Sequence, residues 1–436
     1  MRHACAFRRR RIAVIGAGIA GHGAAWALAP VHDVTLYEKN DYFGGHSHTV
    51  DIELDGVPTP VDTGFIVYNT LNYPNLVRLF DHLGVATQPS SMSFAVSLDD
   101  GRYEYGGNGA KGVFGQKTNW LNPRHLRMVF DLIRFYRSAT QLVERFDLER
   151  TSLGALLDQM GLGDGFKYRH ILPMAAAIWS APAAQILAFP AASFIRFFDN
   201  HGLFRFSDRP CWRTVTGGAR AYVRRLHNSL PAEAHRCLAV RGIERTALGV
   251  VVHDQTGGAR LFDDVVIATH GDEALHLIDR PSARERAILG AFAYSTNRAV
   301  LHSDARLMPR RRHLWSSWNY VAPRGLGPER PVPVTYWMNR LQNIDPRHDV
   351  FVTLNPGREP AASRVARAFS YRHPIFDQGA YDAQRRIDTI QGAGGLWFAG
   401  SYLGYGFHED ALKAGLAVAR RLGGRVPWDA GVKAVA

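Results

Sequence analysis

Three ionisable residues in a row, His408, Glu409 and Asp410, follow a glycine-bearing turn late in the chain. Such a run can trade protons with a substrate, or it can cap and charge-balance a helix start. Both readings stay open from the residues alone. His270, and His46 with His48, are further candidates for proton transfer, packing or phosphate contact, while Tyr336 and Asn339 could face a substrate. Near the start of the chain the spacing is that of binding. Residues 12–15 form a β-branched strand that runs into Gly16, Gly18 and Gly21, at dinucleotide-fingerprint spacing, and then an Ala-rich helix. Gly16 permits a tight turn, Gly18 lets the backbone approach a pyrophosphate, and Gly21 allows close helix–strand packing. The helix start, through Ile19 and Ala20, offers N–H groups and positive dipole to phosphate. A second strand, 33–37, leads to Glu38, placed to hold a ribose hydroxyl.

These residues need elements to position them. Residues 396–406 read as a strand and glycine loop, with Gly400, Ser401 and Gly406, before a helix expected over 409–422. Gly217-Gly218 begins a helix, 236–240 reads as a strand, and a hairpin at 248–262 leads into a strand ending at His270. A β-rich section covers 297–302, 332–339 and 350–355, and Asp377 is placed to cap a helix.

With Lys39 and Gly44-Gly45-His46 after Glu38, and with the late turn Gly400 to Asp410, the chain resembles the flavin amine oxidase and carotenoid desaturase superfamily. It looks like a bacterial branch described as NAD/FAD-binding proteins. The motifs that carry this are Gly44-Gly45-His46-Ser47-His48-Thr49, Asp62-Thr63-Gly64-Phe65, Trp179-Ser180, Thr353-Leu354-Asn355-Pro356 and Gly406-Phe407-His408-Glu409-Asp410. The resemblance implies noncovalently bound FAD and an α/β, amine oxidase-like two-domain architecture. A Rossmann-like FAD-binding domain would be assembled from discontinuous segments, 11–71, 205–275 and 389–425. An α+β substrate domain with a mixed sheet would take 72–204 and 276–388, leaving a basic leader, 1–10, and a tail, 426–436. Beyond the fingerprint residues it implies cofactor contacts from Lys39, Gly44, Gly45, His46, Thr63, Gly64, the main chain of Val240, His270, Gly400, Ser401, Gly406, Phe407 and His408. His408 and Glu409 would lie beside the flavin ring, which makes them, with Tyr336 and Asn339, the expected catalytic residues.

The branch is associated with cyclopropane fatty acid synthase-like methyltransferases, and one lineage with desaturating methyl-branched acyl chains on the way to furan fatty acids. The implied activity is therefore dehydrogenation of a long, phospholipid-borne acyl chain. Oxidation of a small amine, or a flavin-bound accessory role beside a lipid methyltransferase, are the alternatives. Two departures weigh against amines. No lysine occurs between Lys167 and Lys413, and Phe407 stands where amine oxidases often have a tyrosine. Tyr402 also replaces an acid that usually holds the ribityl chain.

Composition bounds these readings. At 436 residues, 46% hydrophobic and 21% charged, the chain is an ordinary globular protein with capacity for two or three domains. No apolar run is long enough to span a bilayer. The basic N-terminus runs straight into the nucleotide strand, so it reads as a leader rather than a cleaved signal. Cys5, Cys211 and Cys237 lack CxxC spacing, which suits a reducing, cytoplasmic compartment. The net charge of +13, nearly all of it arginine, favours an anionic partner. No nucleic-acid module is present, no residues have metal-ligand spacing, and no Ser-His-Asp or phosphate-loop pattern occurs. A basic amphipathic helix is expected over 126–146, its apolar face formed by Leu126, Val129, Phe130, Ile133 and Tyr136. An anionic membrane surface, on the inner face of the cell membrane, is the expected partner. Residues 175–180 and 189–198 could line a tunnel or simply pack.

Overall fold

The computed structural model describes residues 8–146, 148–324 and 332–429. Most of the expected leader and tail thus lies outside the described residues, as does Cys5. A parallel sheet orders its strands Glu233–His235, Asp33–Tyr37, Arg11–Ile15, Asp264–Ile267 and Leu396–Phe398. Both faces are covered, which is why these strands are almost uninterruptedly apolar. On one face lie Ile19–Leu28 and His408–Arg421, pressed together so tightly that a Cβ on Gly415 would sit 2.1 Å from the Ala20 carbonyl oxygen. The other face carries an antiparallel meander, Val240–Thr246, Gly249–Asp254 and Ala259–Phe262. The strand expected at 236–240 is corrected here. The edge strand is Glu233–His235, and 236–239 is the link into the meander, where Leu238 N–H donates to the Glu38 carbonyl.

A seven-stranded mixed sheet forms the second layer system: Val365–Pro374, Tyr294–His302, Phe351–Leu354, Val334–Trp337, Trp318–Ala322, Phe94–Leu98 and Tyr103–Gly106. Only the Trp318–Ala322 and Phe94–Leu98 pair is parallel. Helices between residues 123 and 200 bury its back in one large core. Two helices of the expected substrate segments pack beside the parallel sheet. Pro74–Leu83 buries Leu76, Leu79 and Phe80 with the helices of the parallel sheet, and Ala283–Leu289 buries Ile288 and Leu289 on the opposite face of that sheet.

The long basic helix runs Pro123–Arg145, its start set by Pro123 and by Asn122, whose side chain accepts from Arg124 N–H at 3.1 Å. Its buried stripe is Met128, Phe135, Tyr136 and Ala139. Of the apolar face expected from the sequence, Tyr136 is buried while Leu126 and Phe130 stand exposed. The cause is two interleaved apolar stripes, of which only one meets the core. Among the described residues no helix is long and apolar enough to cross a membrane.

A groove of about 770 Å³ lined by Arg9, Arg11, Asp33, Glu233, Arg260 and Phe262 lies where the parallel strands begin. Nucleotides bind at the opposite, carboxyl ends of such strands, so this groove is not the site.

Candidate active site

The carboxyl ends of the parallel strands converge on the glycine turn. Gly16 adopts φ +96°, and a Cβ there would lie 2.8 Å from the Ala268 carbonyl oxygen. Gly18 differs, because nothing lies within 4 Å of its missing Cβ. Its open side faces outward at the start of Ile19–Leu28, whose first amides receive no side-chain cap. Glu38 is buried beneath this turn. Its Oε2 accepts from Ala17 N–H at 2.9 Å, and its Oε1 accepts from the backbone and side-chain amides of Asn40. The carboxylate therefore ties the turn together as well as offering a remaining lone pair on Oε2. Lys39 is engaged by Glu273 at 3.0 Å, and Val240 starts the meander half-buried. Gly44 bridges to Gly18, and the turn continues through Gly45 to His46.

We expect Glu38→Ala to weaken FAD retention by roughly one to two decades, from loss of charge-assisted hydrogen bonds worth about 1.5–3 kcal/mol. Flavin content after repeated desalting checks this, and retention equal to the parent protein would remove Glu38 from the ribose assignment.

The C-terminal helix delivers its first residues to the same region. Gly400 and Ser401 make the turn after the strand, and Gly406 N–H donates to Ser401 at 3.1 Å. Phe407 N–H donates to Asp410 Oδ2 at 2.9 Å, so Asp410 caps its own helix. Glu409 does something else. Its Oε1 accepts from Asn75 N–H and Asn75 Nδ2 at 3.0 and 2.6 Å, and its Oε2 from Leu76 N–H at 3.0 Å. It is the N-terminal cap of Pro74–Leu83, and this corrects its acid/base assignment. The His408 ring lies flat on Phe65 at 3.9 Å and its Nε2 meets Tyr222 Oη at 2.6 Å. Burial pushes its pKa down to about 3, so it is neutral and held by Tyr222.

The expected roles of Tyr336 and Asn339 also change. Asn339 donates to the carbonyls of Asp345 and His348 at 2.9 and 2.6 Å and accepts from Val350 N–H at 2.9 Å. All its polar capacity closes the 339–350 loop. Tyr336 is buried in the large core against Trp318, 5.1 Å between rings.

What the sequence did not single out is a polar group at the edge of the seven-stranded sheet. Pairing of Tyr294–His302 with Val365–Pro374 sets Asn297, Tyr371 and His373 beside His46, His48, Thr63 and His270. Tyr371 Oη meets Thr63 Oγ1 at 2.6 Å and His48 Nδ1 at 2.9 Å. A relay fixes the His373 tautomer. Arg298 N–H donates to Asn355 Oδ1 at 3.0 Å, so Asn355 Nδ2 must donate to Asn297 Oδ1 at 2.6 Å. Asn297 Nδ2 then donates to His373 Nδ1 at 2.9 Å, which leaves the ring proton on Nε2. His46 is the complement. It bonds the Arg372 backbone through one nitrogen, while its buried Nε2 has no partner. A ring N–H given to a carbonyl leaves that Nε2 a bare acceptor. Burial first, and then neighbouring histidines, lower His373 to about 4 and His46 to about 3. One neutral ring offers a donor and the other an acceptor, with ring centres 5.6 Å apart.

Beside this group the turn before the C-terminal helix meets a wall of rings. Phe197 stacks on Phe407 at 5.0 Å and lies 4.7 Å from Trp179, whose Nε1 donates to the Tyr405 carbonyl at 3.2 Å. A Cβ on Gly406 would lie 2.9 Å from Phe376. None of the seven strands contains a lysine.

An FAD molecule suits these residues. The open side of Gly18 leaves backbone reachable by a pyrophosphate, the uncapped helix start supplies donors, and the buried His46 Nε2 has no protein partner. Gly44, Gly45, Thr63, Gly64, Gly400, Ser401, Gly406, Phe407 and His408 surround the same region.

Comparison with known proteins agrees. The family described as flavin containing amine oxidoreductase is matched over residues 19–343. No curated protein matches the chain. Among solved structures, the CLA-producing fatty acid isomerase from P. acnes is similar with a TM-score of 0.68 at 17% identity, over 94% of this chain and 98% of that one. Cyclohexylamine oxidase from Brevibacterium oxydans IH-35A has a TM-score of 0.67 at 14% identity, covering 95% and 100%. Putrescine oxidase bound to putrescine has a TM-score of 0.67 at 17% identity, covering 95% and 99%. At such identities the likeness is one of fold.

Proposed function

The chain belongs to the flavin-containing amine oxidoreductase family and uses FAD, and from that premise we propose that it dehydrogenates a long acyl chain carried by a phospholipid. The observation that carries this reading is the ring wall of Trp179, Phe197, Phe376 and Phe407 against the turn of the C-terminal helix, with no lysine in the facing sheet. An acyl chain gains from burial against rings, at about 0.8 kcal/mol per methylene, whereas an amine gains little there. The fatty acid isomerase among the fold neighbours acts on a fatty acid by its name, which supports the same direction.

Dehydrogenation removes a hydride and a proton from adjacent carbons, and FAD supplies the two-electron acceptor. The chain's own residues exclude water and fix orientation. The bare Nε2 of His46 is the acceptor for the proton, His373 gives an Nε2–H donor that orients, and the rings hold the apolar chain still. His408, braced by Tyr222 and Phe65, positions the helix start.

The test is anaerobic bleaching of the flavin with phospholipids bearing methylated and unmethylated acyl chains, and with putrescine and cyclohexylamine. Bleaching by lipids alone is the expected result. Bleaching by the amines, with hydrogen peroxide released in air, would replace this reading with amine oxidation. No bleaching by either class, together with co-purification of a lipid methyltransferase, would favour an accessory role.

A further inference from the structure

Ten large hydrophobic side chains are exposed among the described residues, and four of them cluster at one place. Trp120 and Leu121 form the turn before Pro123–Arg145, with Leu121 89% exposed, and Leu126 and Phe130 follow on its first turns. Trp120 is held by stacking on Phe114 at 4.1 Å. At 3.6 residues per turn, Leu126, Phe130, Arg127, Arg134 and Arg137 fall within about 100° of the helix surface. The arginines are exposed alongside, and Arg127 lies over the Phe130 ring at 5.8 Å. The opposite face supplies Met128, Phe135 and Ala139 to the core, so the outer side chains are not spare core residues.

We propose that this patch seats the protein on the headgroup layer of an anionic bilayer. Trp120, Leu121, Leu126 and Phe130 enter the acyl boundary, and Arg134 and Arg137 meet lipid phosphates. Charge complementarity selects this occupant over another protein surface. Arginine stems can lie along apolar surface while their guanidinium groups reach phosphate, and each adds about fivefold in affinity for an anionic leaflet. A tryptophan at the rim is suited to the interface, where its ring is half apolar and half wet. The net charge of +13 adds long-range attraction. The inner face of the helix packs into the core that backs the ring wall. Phe135 and Tyr136 touch Phe204, Phe204 lies 5.4 Å from Phe198, and Phe198 6.2 Å from Phe197 of the ring wall. This placement deepens the acyl reading, but vesicle binding is measured without turnover, so the two can fail separately.

Co-sedimentation of the FAD-loaded protein with vesicles of phosphatidylcholine, alone or with one part in three phosphatidylglycerol, is the test. Binding to the anionic vesicles, fading as salt rises, is expected. Arg134→Glu with Arg137→Glu should cut that affinity at least tenfold. Arg284→Glu with Arg358→Glu makes the same change in net charge elsewhere on the exposed surface and should stay within twofold. Leu121→Ser with Phe130→Ser, which leaves charge untouched, should also lose at least tenfold. Because all these side chains are exposed, melting temperature and flavin content should hold; if the charge-reversed protein melts early, the Leu121 and Phe130 pair decides. Equal loss in both charge pairs, equal binding to neutral and anionic vesicles, or no binding to either would overturn the proposal.

Discussion

Replacing His373 with alanine should leave a folded, yellow protein whose flavin is reduced by acyl substrate at least a hundredfold more slowly. A positioned proton donor or acceptor is worth 10²–10⁴ in rate, and His373 keeps its Nε2–H only because Asn297 occupies Nδ1. Asn297→Asp is the sharper variant. The carboxylate accepts where the amide donated, so the ring proton moves to Nδ1 and Nε2 becomes a bare acceptor. We expect most of the His373→Ala loss, although every ring atom remains. The same change should raise the His373 pKa from about 4, because a carboxylate now faces the ring. The sign follows: neutral His373 persists down to about pH 4 in the parent, and the variant becomes charged at a higher pH. Nitrogen chemical shifts of labelled histidine read tautomer and charge directly. A rate within threefold of the parent for both variants would leave His373 a packing residue.

Glu409→Ala should cost about 2–4 kcal/mol of stability, an effect among the largest expected from one substitution away from the hydrophobic cores. The alanine leaves Asn75 and Leu76 N–H groups without their acceptor at a buried helix start. Glu409→Gln keeps an oxygen acceptor but loses the charge and should fall between. Urea midpoints of the flavin-loaded proteins measure this, at constant slope. With occupancy held full, the bleaching rate of Glu409→Gln should stay within threefold of the parent. Undiminished stability with a rate two decades lower would restore Glu409 as an acid or base.

The nucleotide cradle was legible because its signal is local: Gly16, Gly18 and Gly21 lie within six residues, Gly16 and Gly21 where a Cβ would strike backbone and Gly18 where the chain is left open. The C-terminal helix, expected over 409–422, runs His408–Arg421. Asp377 caps the next-to-last long helix as its position suggested, accepting from Ala380 N–H at 2.8 Å. The misread positions depend on partners far along the chain. Glu409 looked like chemistry because its partner amides lie more than 330 residues earlier. Asn297 and His373 are strangers in sequence, and only the antiparallel register between Tyr294–His302 and Val365–Pro374 brings them into contact. Asn339 sits in a β-rich stretch that invited a substrate role, yet the loop it closes reaches eleven positions along the chain and is unreadable before folding. Leu126 and Phe130 show a different limit. Periodicity identifies an apolar stripe but cannot say which of two stripes meets the core.

The parallel sheet draws its strands from residues 11–37, 233–267 and 396–398, and this has a consequence for biosynthesis. A ribosome adding 5–20 residues per second needs roughly 20–80 seconds to travel from Glu38 to the end of the C-terminal helix. Throughout that interval the first glycine turn exists without the strands and helix that cover it. The nascent chain holds apolar strand edges open, and the flavin cradle closes only when almost all of the described chain has emerged. Cofactor loading thus waits for the last strand and the C-terminal helix, and a premature stop before residue 396 yields a chain with no cradle rather than a shortened enzyme.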